Sequence, residues 1–391
     1  MKKVLILKGF SQYNVLRFAA DAVASGFQAL GCRVKVIGFK DEEDFKEAIK
    51  DIMGEYDLIF SFQALLFDYK LEDDTYLYNN ISTPVFGFIV DHPSYHHERL
   101  SAELNSNVYL GCVDNRHVSY VKKYYPGIKN VFYIPHAGFE TNERMPFEQK
   151  DIELFFPGTY IPLSSYVDAI GQLPEIFRKT AFTIIEYMQN DLSVTLEEAL
   201  ERYFNSIKFA CSIYEFRELM VMLLPVDGYI RSYYRDLCIN TLLKNGIPIT
   251  AGGKGWNEFV TPYKESFHLI SDTGMDIEKV IELTGRSKMV LNIVPTFKEG
   301  LHERLITAMF CGSVSLTDSS KSIEAEFKNM ESVVLYDFNN IDELPYIVKD
   351  LLKNVNKSKE IAANGYSIAA EKHKWSDRAK DILNICFNQQ S

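Results

Sequence analysis

Between residues 299 and 307 the chain gathers Glu299, Gly300, His302, Glu303, Arg304 and Thr307. Two carboxylates, an imidazole, a guanidinium and a hydroxyl follow one another closely, beside a glycine that lets another molecule approach the backbone. On a helix Glu303 and Thr307 stand one above the other, whereas Glu303 and Arg304 point about 100° apart and make poor partners. Their neighbours are apolar: Leu301, Leu305, Ala308 and Met309 share one helical face, and Ile306 and Phe310 lie on another. Charges in such a setting need partners, and a ligand can supply them. The chemistry on offer is anion recognition by Arg304 and by the N–H groups of a helix start after Gly300. Pairing within the fold, or with solvent, is the competing reading.

The elements that must position these residues follow from the apolar pattern. "KVLIL", "RVKVIGF", "YDLIFSF", "TPVFGFIV", "NVYLGCV" and "NVFYIPH" read as short strands. Helical stretches separate them, among them 14–30, ending at Gly31, and an acidic one near 41–54. Strands apolar enough to be covered on both faces, alternating with helices, imply a parallel doubly wound sheet. "GFETNERMPFEQKD" at 138–150 is polar and irregular and marks a boundary. "IELFFPGTY" then starts a second alternation, which resumes with "GIPITAGG", "FHLIS", "SKMVLNIV", "GSVSLTDS" and "SVVLYDF" after a helical insertion at 162–245. The fold class is therefore α/β, with two Rossmann-like doubly wound domains facing a cleft. The domains are assigned to 1–145 and 146–370, with 371–391 a C-terminal helix packing back on the first. Ligands of such sheets bind at the carboxyl ends of the strands.

In the first domain one strand end carries Asp91 and His92, followed by His96 and His97. A carboxylate or imidazole there could take a proton from an attacking hydroxyl. Asp91 as a helix cap and His96 and His97 as an exposed helix start are the structural alternatives. Three histidines and two carboxylates match no standard metal spacing, so no metal is expected. His136 in "YIPHAGF" closes the domain, as a ligand-touching or hinge residue.

The bulk numbers exclude several classes. With 391 residues the chain is long enough for two domains. A net charge of −11 argues against nucleic acid as a partner. Six cysteines without a CxxC pair suit reduced thiols in a cytoplasmic protein. The apolar run "VLIL" is too short for a secretory signal, and no stretch is long enough to span a membrane. Peripheral contact at the inner membrane face stays open. The first turn, "KGFSQYN", lacks the glycine fingerprint of dinucleotide binding, which sets a dehydrogenase aside.

The stretch around Asn292, Glu299-Gly300, Glu303-Arg304, Ala308, Cys311-Gly312 and Asp318 resembles the donor-binding core of GT-B glycosyltransferases. The likeness is to the "glycosyl transferases group 1" domain of spore-maturation-protein-like enzymes in particular. "RDLCINTLLKNGIPITAGGKGW" (Arg235 to Trp256) and "LFFPGTY" resemble further parts of it, so the likeness covers about 151–380. It implies metal-independent transfer of a sugar from a nucleotide-sugar to a hydroxyl of a glycan, lipid-linked or protein acceptor, with no cofactor. It also implies donor contacts from Gly158, Thr159, Lys254, Asn292, Glu299, Gly300, His302, Glu303, Arg304 and Thr307; Asp91 and His92 are catalytic candidates from their place at a strand end alone, and the region of His136 borders the interdomain cleft in resembling enzymes. Arg286 is a weaker phosphate candidate, and Trp256 either stacks on a base or packs in the core. Many relatives hold the donor ribose with a second glutamate where Thr307 stands here; Glu303, one turn earlier, is the substitute. A nucleotide-sugar 2-epimerase and a non-catalytic partner or binding subunit are the rival readings.

Overall fold

The computed structural model describes residues 1–39, 42–141 and 143–388. The start of the acidic helix expected at 41–54, Asn142 in the linker and the end of 371–391 lie outside the described residues. Among the described residues the chain forms two compact units, 1–137 with 372–391, and 138–371.

Six strands make the sheet of the first unit: β1 (Lys3–Lys8), β2 (Arg33–Gly38), β3 (Leu58–Phe62), β4 (Val85–Ile89), β5 (Val108–Cys112) and β6 (Asn130–Tyr133). They pair in parallel in the order β2-β1-β3-β4-β5-β6. Every residue of β3, β4 and β5 is buried, which is why these strands read as nearly continuous apolar runs, interrupted only by Ser61 and small glycines. The order turns back between β1 and β3, so their outgoing loops diverge and leave a crevice. The helix Val15–Ala29 covers one face and is itself covered by the C-terminal helix Trp375–Phe387. Gly26 permits this approach, because a Cβ there would lie 2.9 Å from both the Ser376 Cα and the Trp375 carbonyl oxygen. Trp375 sets its ring edge-on to Phe62 at 5.7 Å, and Arg378 donates to the carbonyls of Pro135 and Lys372.

The second unit contains β7 (Ile152–Pro157), β8 (Ile249–Gly252), β9 (Phe267–Ser271), β10 (Ser287–Asn292), β11 (Val314–Asp318) and β12 (Val334–Tyr336). Their order is β12-β11-β10-β7-β8-β9, again parallel, with the reversal between β10 and β7. Between β7 and β8 come five helices, Leu163–Gly171, Glu175–Asn190, Leu196–Ser206, Ile213–Met222 and Leu224–Lys244. Two begin with reciprocal caps, Thr195 with Glu198 and Ser212 with Glu215.

Below the sheet of this unit, Lys150 is 3% exposed. Its Nζ donates to the carbonyls of Gly285 and Cys311 and to Ser313 Oγ, at 2.5, 3.0 and 3.1 Å. The two carbonyls belong to the last turns of helices Ile277–Arg286 and Glu303–Phe310. One ammonium thus meets the negative ends of two helices. Burial pulls its pKa down to about 8, so it remains charged at neutral pH. Lys150→Met fills the same space but leaves both carbonyls without this donor. It should lower unfolding free energy by about 2–3 kcal/mol with an unchanged denaturant slope. A loss below about 0.5 kcal/mol, the scale of a neutral surface change, would mean the contact contributes nothing to stability.

Candidate functional site

The carboxyl ends of β7, β8, β10 and β11 bring together most of the residues singled out in the second half of the sequence. After β7 the chain turns through Gly158 and Thr159, and after β8 through Gly253, Lys254 and Gly255. The two turns are laced together: Gly158 N–H donates to Gly252 O at 3.0 Å, and Tyr160 N–H to Lys254 O at 2.8 Å. Gly253 has φ +149, and a Cβ there would fall 2.2 Å from Gly158 O, so only glycine fits. Trp256 is 2% exposed and donates through Nε1 to Gly158 O at 2.7 Å. It is a packing residue that braces the turn. Lys254 is exposed on the same loop.

Above β7 stand two guanidiniums. Arg304 lies 5.4 Å and Arg235 5.9 Å from the centroid of the buried Phe156 ring, close enough for cation–π attraction. Arg304 Nη1 donates to Asn292 Oδ1 at 2.9 Å, and its Nη2 is 3.6 Å from where a Gly158 Cβ would be. Arg235 Nη1 donates to Thr159 O at 2.6 Å, while its buried Nε has no hydrogen-bond partner. Among the described residues neither arginine forms an ion pair. Burial pulls both pKa values down; the positive charges of Arg231 and Arg304 add to the effect on Arg235, which is brought to about 9. At about 9, Arg235 remains cationic at neutral pH.

Asn292 is 1% exposed and acts through Arg304. Its Oδ1 holds the guanidinium, its Nδ2 donates to Thr317 Oγ1 at 2.9 Å, and its carbonyl accepts from Tyr336 at 2.8 Å. Asp318, 6% exposed, accepts from Val294 N–H at 2.8 Å.

The helix on which the opening residues were placed runs from Glu303 to Phe310, later than the sequence suggested. Gly300 and Leu301 precede it in an extended stretch, where Ser320 Oγ holds Gly300 O. His302 caps it, its Nδ1 accepting from Arg304 N–H at 3.1 Å. The expected helix start directly after Gly300 is thus replaced by an imidazole cap, which uses one first-turn N–H. Leu301 is buried all the same. Thr307 Oγ1 donates to Glu303 Oε1 and accepts from Phe139 N–H at 3.0 Å. Burial raises the Glu303 pKa, against the hydrogen bond from Thr307 and the nearby Arg304 charge. Glu299 is bridged by Lys321 at 2.6 Å. Arg286 pairs with Asp151, at the opposite end of β7 from these groups, and takes no part.

In the first unit Asp91 accepts from Gln63 Nε2 at 2.5 Å. His92 is a cap: its Nδ1 accepts from Ser94 N–H at 3.2 Å and meets Ser94 Oγ at 2.6 Å, with His117 and Tyr120 packed on the ring. His136 is buried against Phe88 and Trp375, its Nδ1 2.8 Å from Ala137 O. Burial, aided by the Arg378 charge, brings its pKa down to about 4. Among the described residues no group of acids, histidines and cysteines is arranged to hold a metal, and no helix is long and apolar enough to cross a membrane.

Sequence reasoning missed Arg235 as a site residue. Its signal was present: Arg231 and Arg235 are one helical turn apart in a segment otherwise dense in apolar and aromatic residues.

This architecture, two parallel sheets of Rossmann type, is the GT-B fold. Residues 235–384 match the family described as "Glycosyl transferase-like". HepE of Anabaena, solved with UDP and glucose, is similar at TM-score 0.54 and 11% identity, over 98% of this chain and 99% of that one. Sucrose-phosphate synthase of Thermosynechococcus elongatus is similar at 0.56 and 9%, over 100% and 99%. An alpha-glucosyltransferase solved with UDP-glucose and DNA containing an abasic site gives 0.56 and 10%, over 98% and 99%. No curated protein matches the chain in sequence.

Burial raises the Asp318 pKa from 3.8 to about 6. Across that window the folded chain holds a proton that the unfolded chain releases, so this group's contribution to stability falls as pH rises. Asp318→Asn keeps an acceptor for Val294 N–H and removes the titration. Its stability relative to the parent should therefore increase from pH 4 to pH 6 and level off above, in urea titrations. A difference that stays constant with pH would contradict this assignment.

Proposed function

We propose that the protein is a glycosyltransferase that moves a sugar from a nucleotide-sugar to an acceptor hydroxyl. The observation that carries this reading is the pair of cations, Arg304 and Arg235, set over Phe156 beside the Gly158–Thr159 turn and, among the described residues, in no ion pair. The match of residues 235–384 to a glycosyl transferase-like family supports it. In the proposed reaction the acceptor oxygen bonds to the anomeric carbon as the bond from that carbon to the diphosphate breaks. The bonding pair leaves with the diphosphate, and the acceptor's proton passes to a base or to the departing phosphate. Charge accumulates on the diphosphate as the bond breaks, and fixed cations stabilise it there.

The donor's diphosphate lies against Arg304 and Arg235, with Gly158 and Thr159 beneath it. Glu303, held by Thr307, accepts the ribose or sugar hydroxyls in place of the second glutamate found at position 307 in many GT-B enzymes. Glu299 and the Gly300–His302 backbone border the sugar. Two arginines supply the charge that a divalent cation supplies in other transferases, so EDTA should leave activity intact. The solved relatives carrying UDP make uridine the first base to try. Reduced cysteines, four of them buried, suit a cytoplasmic protein.

Arg304→Gln and Arg235→Gln should each weaken UDP binding in calorimetric titrations by about 10- to 100-fold, the scale of a charged hydrogen bond. Far-UV circular dichroism should stay that of the parent. Lys254→Ala should change affinity less than threefold. UDP, GDP, dTDP and CMP all failing to bind the parent protein, or unchanged affinity in both arginine variants, would remove this placement of the donor.

A further inference from the structure

The first unit has a cavity of about 500 Å³ at the carboxyl ends of β1, β3 and β4, where the strand order turns back. Two loops border it, 9–14 after β1 and 63–66 after β3. They hold Tyr13, Asn14, Gln63, Ala64 and Leu66 at positive φ, five of the eight non-glycine residues in that conformation among the described residues. Such backbone persists only where its surroundings fix it, and it concentrates at ligand sites.

Here the fixing is visible. Gln63 donates its N–H to Phe88 O at 2.8 Å, and its carbonyl accepts from Arg99 Nη1 at 2.7 Å. Its side chain spans Val90 N–H and Asp91. On the other loop Ser11 Oγ accepts from Leu16 N–H at 2.9 Å, and Arg17 holds the carbonyls of Lys8 and Gly9.

The lining divides into two kinds. Gln63, Asp91 and Arg99 form a polar end built from donors and a carboxylate, suited to hydroxyl groups. Leu16, Phe39, Phe62 and Leu65 form an apolar wall, and Phe10, 84% exposed, extends it outward. A wholly polar saccharide would gain nothing from that wall and would leave Phe10 in water.

We infer that this crevice binds an amphiphilic alcohol, its hydroxylated head at Gln63, Asp91 and Arg99 and its apolar body along Leu16, Phe39, Phe62 and Leu65. Calling this ligand the acceptor rests on the transferase reading; the binding itself does not.

Titration calorimetry of the full chain with octyl β-glucoside, kept below its micelle concentration, and with methyl β-glucoside tests this. The octyl compound should bind at least tenfold tighter. Phe10→Ser, at an exposed position that carries no folding risk, should cut that preference severalfold, and Leu65→Asp should abolish it. UDP affinity should be unchanged in both variants. Equal binding of the two glucosides, or an octyl preference that survives both substitutions as general adsorption, would overturn the inference. Failure of UDP to bind the parent protein would count against the transferase reading alone.

Discussion

Two positive charges share one aromatic ring. Arg235 and Arg304 both lie over Phe156, and the Arg304 charge raises the cost of keeping Arg235 charged. In a folded chain of net charge −11 there is no shortage of carboxylates to pair them. Their direct hydrogen-bond acceptors are instead neutral oxygens, Thr159 O and Asn292 Oδ1, with the carboxylates of Glu303 and Asp318 acting on Arg304 only from farther off. Much of the second unit's local order serves that arrangement. Gly158 leaves room for Arg304, Gly253 lets the two turns meet, Trp256 braces the first of them, and Thr317 and Tyr336 hold Asn292. Guanidiniums fixed before an anion arrives need little reorganisation as charge builds on a leaving group.

The first unit uses a different device. Its crevice is shaped by backbone held in unfavourable φ, stabilised by hydrogen bonds that converge on Gln63 and on the residues around Ser11. The side chains there divide about evenly between polar and apolar. Charge defines one proposed binding surface, and backbone geometry the other.

The strands and their order of appearance were legible because β3, β4 and β5 are covered on both faces and so carry no charged residue and almost none that is polar, Ser61 being the exception. Gly312, with φ +66, ends the helix begun at Glu303. The start of that helix was not legible. Histidine is an uncommon cap, and the glycine two positions earlier looked like the better boundary. Arg235 was hidden for a related reason. Its helix is buried along several sides, so no single polar stripe pointed to it. His92 drew attention by its type, but its Nδ1 is committed to Ser94, a contact set by local backbone angles that composition does not reveal.

The helix Trp375–Phe387, packed on Val15–Ala29, has a consequence for biosynthesis. The first unit lacks a layer of its core until Trp375–Phe387 has been translated. The intervening unit, continuous in sequence, is free to fold sooner. Nascent chains stalled before residue 375 should therefore expose the apolar side of Val15–Ala29 and be clients for chaperones. Loss of Trp375–Phe387 is then felt in the core built on Val15–Ala29.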